Sequence, residues 1–379
     1  MRVGIDGGCW ANRRGYGRFL QELVRALVEE RRHEYTIFLD EPGMRTFPYG
    51  EKIKVVQVST STAVNDAASA DGRRSLPDLL RFSAAAAMQP VDVFFYPTVY
   101  SYFPLPRRIP VLLGLHDTMA DRFPELAFAS KRQQRFWNWK VRLALYQANA
   151  ILTVSNYAKQ SIQEVHRVPA DRIHVMYEGP AAVFRLINLP QTEPPFLLAV
   201  GGISPNKNLE KLLLAFEIVL KQRPDCQLRI VGDYASDGFK SNYDALAALA
   251  RQIDSSGRIQ FMGYVPDSEL LRLYNQAALL VFPSLEEGFG LPAVEAMACG
   301  LPVVASNAHA LAEIVGNAGL LVDPYNAAEL AQTILRILED PVLATDLRRR
   351  SLERSADFRW QTAARHLESI FQNLGGRVK

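Results

Sequence analysis

The stretch from Pro283 to Ser306 constrains this 379-residue chain more than any other segment. The apolar run Ala278–Phe282 before it reads as a buried strand. Gly288-Phe289-Gly290 then makes a tight loop into Leu291 and Pro292. Proline suits the first turn of a helix, where its missing N–H costs nothing. Gly300 is a stop signal, and Leu301–Ala305 reads as the next strand. The unit is strand, glycine loop, helix, strand. Two carboxylates, Glu287 and Glu295, stand with seven residues between them. Glu287 falls in the loop at a sheet edge, and Glu295 about one turn into the helix. The backbone N–H groups of Phe289, Gly290 and Leu291 are expected to point into the same space, where a helix N-terminus favours anions.

That arrangement suits a ligand with a diphosphate in its middle and hydroxyls at both ends, because a carboxylate accepts hydrogen bonds from paired sugar hydroxyls. A nucleotide sugar is such a molecule; a plain surface helix with acidic residues near its start is the alternative. The segment closely resembles the signature of the retaining glycosyltransferases of family 4. The resemblance covers nearly the whole chain. It implies an α/β protein of the GT-B fold, two doubly wound Rossmann-like domains facing across a cleft.

Length agrees with two domains. A hydrophobic content of 48% and a charged content of 22% are ordinary for a globular protein. The chain opens on Arg2-Val-Gly-Ile-Asp6, which reads as a strand, so no signal segment is expected. No apolar run approaches the roughly 20 residues of a membrane helix. Cys9, Cys226 and Cys299 are isolated, form no metal spacing, and suit a reducing cytoplasm. The net charge of +3 hides an asymmetry. Residues 1–190 carry 25 Lys and Arg against 18 Asp and Glu, a balance of +7; the remainder carries 18 against 22, a balance of −4. A basic N-terminal half suits an anionic membrane surface or acceptor, although a solvated surface explains it too. No dense basic run is interleaved with stacking aromatics, so nucleic acid is not expected as a partner.

Strands are expected at Val3–Asp6, Tyr35–Leu39, Ile53–Val58, Val91–Tyr96, Val111–Leu115 and Ala150–Val154. A second set is expected at Phe196–Gly201, Gln227–Val231, Ile259–Phe261, Leu279–Phe282 and Pro302–Ala305. Near-continuous apolar runs mean strands buried on both faces, hence parallel sheets whose ligands bind at the carboxyl ends. The proline-rich stretch 179–195 is the expected linker. The expected division is a first domain over 1–180 on the acceptor side, with the helix 361–379 packing back on it, and a nucleotide-sugar-binding domain over 195–360. The segment Ser59–Arg74 is small and polar and reads as a surface loop.

Other motifs join the site through the same resemblance. Gly201-Gly-Ile-Ser-Pro-Asn-Lys207 follows a strand and opens a helical pattern, and Lys207 resembles the family's phosphate-binding lysine. Many members carry an Arg just after the first glycine, where Gly202 stands here. The loop around Gly15, Gly17 and Arg18 resembles the family's N-terminal glycine loop, with a plain turn as the alternative. His116-Asp117 ends an apolar strand. The family places a donor-sugar-contacting His there, whereas a buried, satisfied His is the ordinary reading. In Phe261–Leu270, Tyr264 and Val265 resemble the wall of the base pocket, and Asp267 or Ser268 would cap the following helix. Ser155-Asn-Tyr157, Tyr177-Glu178-Gly179 and Ser306-Asn307 also match family positions. Where many members have Asn the chain has Glu178, and where small or Gly residues are frequent it has His309 and Ala310. The helix candidate Lys131–Tyr146 carries a Phe136, Trp139, Leu143, Tyr146 stripe, widened by Trp137, Val141, Ala144 and Ala148. It reads either as a core helix with a basic edge or as an interfacial membrane helix.

The expected activity is transfer of a hexose, mannose favoured, from a nucleotide diphosphate sugar to a saccharide or lipid-linked acceptor in cell-surface glycan synthesis. Retention of configuration is implied by the resemblance alone. His116, Lys207 and Glu287 are the expected catalytic group. Gly15, Gly17, Gly202, Lys207, Tyr264, Val265, Glu287, Gly288, Phe289, Gly290, Leu291 and Glu295 are the expected donor contacts. No cofactor or metal is expected, for want of a cluster at ligand spacing or an Asp-x-Asp triplet. An epimerase or hydrolase of the same fold, or a donor-binding protein without catalysis, stays open.

Overall fold

The computed structural model describes residues 1–12, 15–64, 75–106, 109–128, 130–190, 192–233 and 241–376. Arg13, Arg14 and most of the polar segment 59–74 lie outside the described residues. The chain divides into two units, Met1–Glu178 with Arg359–Lys379, and Gly179–Phe358. Among the described residues, no helix is long and apolar enough to cross a membrane.

The first unit holds seven parallel strands: β1 (Arg2–Asp6), β2 (Glu34–Leu39), β3 (Lys54–Gln57), β4 (Val93–Tyr96), β5 (Val111–Gly114), β6 (Ala150–Thr153) and β7 (Ile173–Val175). Their order is β3-β2-β1-β4-β5-β6-β7. The second unit holds six: β8 (Phe196–Val200), β9 (Gln227–Val231), β10 (Ile259–Gly263), β11 (Leu279–Phe282), β12 (Val303–Ser306) and β13 (Leu320–Val322). Their order is β10-β9-β8-β11-β12-β13. Each sheet is doubly wound, reversing direction between β1 and β4 in one unit and between β8 and β11 in the other. The central strands Val93–Tyr96, Val111–Gly114, Leu279–Phe282 and Val303–Ser306 are buried along their whole length, the pattern of strands covered by helices on both faces.

Two strands went unforeseen in the sequence, β7 and β13. Both are three-residue edge strands with two half-buried positions each, so no apolar run marks them. Helices follow the 3.6-residue period: Leu209–Gln222 buries Leu209, Leu212, Leu213, Phe216 and Val219. The last helix, Trp360–Gly376, buries Ala363, Leu367, Ile370, Phe371 and Leu374 in the first unit. Phe371 meets Phe95 of β4 at 5.9 Å between ring centroids. Tyr35 donates its hydroxyl proton to Glu368 Oε1 at 3.0 Å. All three cysteines are buried and free, and burial pushes the Cys226 and Cys299 thiols up to about 12.

Candidate active site

In a doubly wound sheet the loops on either side of the reversal cannot lie over the same edge, so a crevice opens at the carboxyl ends of the two central strands. In the second unit those are the loops after β8 and β11. A small crevice there is lined by Gly201, Lys207, Phe282 and Pro283. Lys207 ends a short 3-10 turn, Pro205–Lys207. The turn is held by Asn208, a buried left-handed residue with φ of 56°. Asn208 donates both amide protons, to Pro283 O at 3.0 Å and Pro324 O at 2.7 Å. Leu285 N donates to Asn206 O at 2.8 Å, which ties the β11 loop to the β8 loop. Sequence reasoning passed over Asn208; its place between a lysine and a helical pattern was the available signal.

Lys207 Nζ pairs with Glu287 Oε1 at 2.5 Å, with both side chains mostly buried. The same ammonium lies 5.4 Å from the centroid of Phe282. Glu287 therefore neutralises the cation that lines this crevice. Beside it, Glu286 is 3% exposed, and its Oε2 lies 3.1 Å from Nδ1 of His309. The two consecutive glutamates thus reach to opposite sides, one toward the β8 loop and one toward the β12 loop, as neighbouring residues of extended chain do.

Gly290 stands at φ of 99°, immediately before the helix Leu291–Ala298. A side chain there would be strained, and its Cβ would lie 2.5 Å from Leu311. Phe289 is buried, its ring edge-on to Phe358 at 5.7 Å, so its side chain belongs to the core. Leu291 is buried as well, and Gly288 is partly exposed. Pro292 has no N–H, and Ala293 N donates to Gly290 O at 2.9 Å. The helix start can therefore offer a ligand only amides that precede Pro292. Glu295 is 3% exposed, and Tyr274 donates to its Oε2 at 3.2 Å. Tyr264 is 55% exposed at the carboxyl end of β10, next to partly buried Val265. The expected cap of the following helix is corrected: Pro266, not Asp267 or Ser268, is the N-cap, without a side-chain hydrogen bond. Its extended backbone hands the chain directly into the first turn. Gly202 is exposed, and a Cβ there would meet nothing within 4 Å.

The first unit has its own arrangement at the carboxyl ends of its strands. His116, beyond β5, is 8% exposed. Its Nε2 lies 2.8 Å from Pro97 O, and its Nδ1 lies 3.4 Å from Glu178 Oε1. Its ring meets those of Phe19 and Tyr16 edge-on at 4.5 and 5.2 Å. Tyr16 donates to Asp117 Oδ2 at 3.3 Å. Burial, and then the Asp117 charge, push the Tyr16 phenol well up. The expected loop around Gly15, Gly17 and Arg18 is corrected: these residues form the first turn of the helix Gly15–Glu30, which packs Tyr16 and Phe19 against the His-Asp pair. Within it Gly17 has a local reason, since a Cβ there would lie 1.8 Å from Asn12 O, whereas Gly15 faces open space. Among the described residues, no group of three or more His, Cys, Asp or Glu is placed to hold a metal ion.

Known proteins share both the signature and this architecture. Residues 183–354 match the family "Glycosyl transferases group 1", and residues 13–180 match "Glycosyltransferase Family 4". The O-antigen chain mannosyltransferase B of Escherichia coli is 30% identical over 381 residues, covering 95% of this chain and 96% of that one. Sucrose-phosphate synthase from Thermosynechococcus elongatus superposes with a TM-score of 0.80 at 22% identity over the whole of both chains. Anabaena HepE, solved with UDP and glucose, superposes at 0.75 with 20% identity over 99% of this chain and all of that one. The chain belongs to the family 4, group 1 glycosyltransferases and is a glycosyltransferase of the GT-B type.

Proposed function

We propose that this enzyme transfers a hexose, mannose first, from a nucleotide diphosphate sugar such as GDP-mannose to a saccharide or lipid-linked acceptor, with retention of configuration. The observation that carries this reading is the pairing of Lys207 with Glu287 beside the Gly-Phe-Gly loop, at the reversal point of the second sheet. A diphosphate entering there takes Lys207 from Glu287. The freed carboxylate then accepts hydrogen bonds from the transferred sugar, and Glu295 accepts them from the ribose. Lys207 and the loop amides stabilise charge on the leaving diphosphate, whose oxygen helps take the acceptor proton. The E. coli relative is named for mannose and O-antigen, which favours mannose and a cell-surface glycan for this chain.

The test is an incubation with GDP- and UDP-hexoses and short saccharide acceptors, with products resolved by mass and anomeric NMR. A new α-linked mannoside from GDP-mannose supports the reading, and EDTA should leave its yield unchanged. Free hexose without a glycoside would mean hydrolysis, a changed sugar nucleotide would mean epimerisation, and binding without product would mean a non-catalytic role.

Association with the inner membrane face belongs to the same reading. The helix Lys131–Gln147 buries Trp137, Val141 and Ala144. The expected stripes divide there, because Phe136, Trp139 and Tyr146 are exposed, Trp139 by 62%. Arg132, Arg135 and Arg142 are exposed with them, and the helix has no acidic residue. Salt-sensitive sedimentation with anionic but not neutral vesicles is expected.

A further inference from the structure

Large apolar side chains are unevenly exposed. Eleven of them are exposed among the described residues, and six of the eleven lie on two helices of the first unit. Leu76, Leu80 and Met88 belong to the helix Leu76–Ala87 and its C-cap, and are 72, 63 and 78% exposed. Phe136, Trp139 and Tyr146 belong to Lys131–Gln147. Single exposed apolar residues are ordinary, whereas a contiguous group marks a contact surface. In the first helix, exposed Ala84 stands between Leu80 and Met88 and completes a stripe of every fourth residue. At 3.6 residues per turn the stripe covers about 120° of helix surface, centred opposite the buried Phe82. In the second helix, Trp139 and Tyr146 lie within about 20° of the direction opposite the buried Trp137.

Both stripes face away from the same side of the first sheet. Phe82 and Trp137 belong to one core cluster. Phe82 meets Phe103 at 5.1 Å between centroids, and Trp137 meets Tyr100 at 4.8 Å. Those two partners come from a single strap, residues 99–106, between β4 and β5. The strap also fastens the helices to each other. Ser83 donates its hydroxyl proton to Pro104 O at 2.6 Å. Gln147 donates to the next carbonyl, Leu105 O, at 2.5 Å, and Leu105 N donates back to Gln147 Oε1 at 3.2 Å. The exposed charge on the two helices has one sign: Arg81, Lys131, Arg132, Arg135 and Arg142. Their one acidic residue, Asp78, is buried and pairs with Arg81 at 2.8 Å.

We propose that the helix Leu76–Ala87 is a second membrane-seating element, whose stripe enters the headgroup layer of an anionic bilayer together with that of Lys131–Gln147. This rests on the membrane reading given above for Lys131–Gln147 alone. Apolar and aromatic side chains bordered by Lys and Arg suit the boundary between headgroups and acyl chains. The uniform sign of charge selects the occupant. A second copy docked by the same face would set these cations against their own images, which repel. Anionic lipid attracts them. Two helices also achieve what one does not. A single stripe leaves the unit free to roll about the helix axis. Two stripes fastened through Pro104 and Leu105 fix the tilt of the first sheet on the bilayer.

The experiment uses the full chain with vesicles of phosphatidylcholine, alone or mixed with phosphatidylglycerol. All three native cysteines are buried, so a surface cysteine takes an environment-sensitive dye selectively. Leu80→Cys and Trp139→Cys report on the two helices, and Val342→Cys, at an exposed position of the second unit, is the control. The dyes at positions 80 and 139 should both shift to the blue on the mixed vesicles and not on phosphatidylcholine alone, while the control stays unchanged. The double variant Leu76→Gln/Leu80→Gln keeps every charge. It should bind the mixed vesicles at least about fivefold more weakly, as expected when two apolar side chains no longer enter the interface. A shift at position 139 with none at 80 overturns the proposal and leaves the reading of Lys131–Gln147 standing. A wild-type protein that sediments with neither vesicle overturns both. A control dye that shifts as much as the other two means unspecific adsorption and overturns the proposal. So does a wild-type dimer in the absence of lipid that the double variant fails to form, because a second copy then covers the stripe.

Discussion

The two sheets have the same winding and opposite kinds of carboxyl edge. At the edge of the second sheet the chain places carboxylates: Glu287 on Lys207, Glu286 beside His309, and Glu295 under Tyr274. At the edge of the first it places rings and one internal pair. His116 lies between Phe19 and Tyr16, with Glu178 and Pro97 on its two nitrogens. The difference shows how one backbone plan carries two kinds of side-chain chemistry. In the function proposed above, an ion pair that can be exchanged for a ligand's charge serves the binding of a diphosphate. On the first edge the ring is packed among rings, with Pro97 and Glu178 near its two nitrogens.

The comparison can be broken most sharply at Lys207. Lys207→Ala removes the cation from the second edge and should weaken the free nucleoside diphosphate by about 1.5–3 kcal/mol, the scale of a lost charged hydrogen bond. Unchanged calorimetric affinity would refute the exchange of partners. Glu287→Gln keeps the shape and releases Lys207 from its internal carboxylate. Turnover should fall at least about tenfold, which is roughly 1.4 kcal/mol of barrier, while the free diphosphate binds as well as before or tighter. Weaker diphosphate binding would show that Glu287 serves the phosphates and not the sugar.

On the first edge, His116→Ala leaves the buried Glu178 carboxylate without its imidazole. It should cost about 1–3 kcal/mol of stability, read as a lower melting temperature, with diphosphate affinity unaltered. Equal loss of diphosphate affinity in His116→Ala and Lys207→Ala would erase the distinction between the two edges. The smallest effect is expected from Gly202→Arg. A side chain there meets open space, so the fold should accept it, and an added exposed cation should tighten diphosphate binding by no more than about 1 kcal/mol. The gain should fade at high salt; a gain that persists in molar salt would point to a contact other than charge.

The site was legible where a residue's role is local. The glycine loop, the proline at the helix start and the spacing of Glu287 and Glu295 are set within a dozen residues of chain, and a periodic apolar pattern marks each flanking strand. The contacts of Glu286, Asn208 and His309 were not legible. Each depends on a partner far along the chain: Glu286 on the β12 loop, and Asn208 on the carbonyls of Pro283 and Pro324. Nothing near them in sequence announces those partners. The same holds for the stripe on Lys131–Gln147, where periodicity gave two apolar faces and packing chose Trp137 over Trp139 as the buried one.

By itself, then, the sequence determined the two parallel α/β units, their central strands and the family to which the chain belongs, because hydrophobic period, turn chemistry and a contiguous signature are properties of neighbouring residues. Tertiary structure alone decided which charges meet. Only the strand order brings the β8, β11 and β12 loops side by side, so that one pair of consecutive glutamates is shared between a lysine on one flank and a histidine on the other.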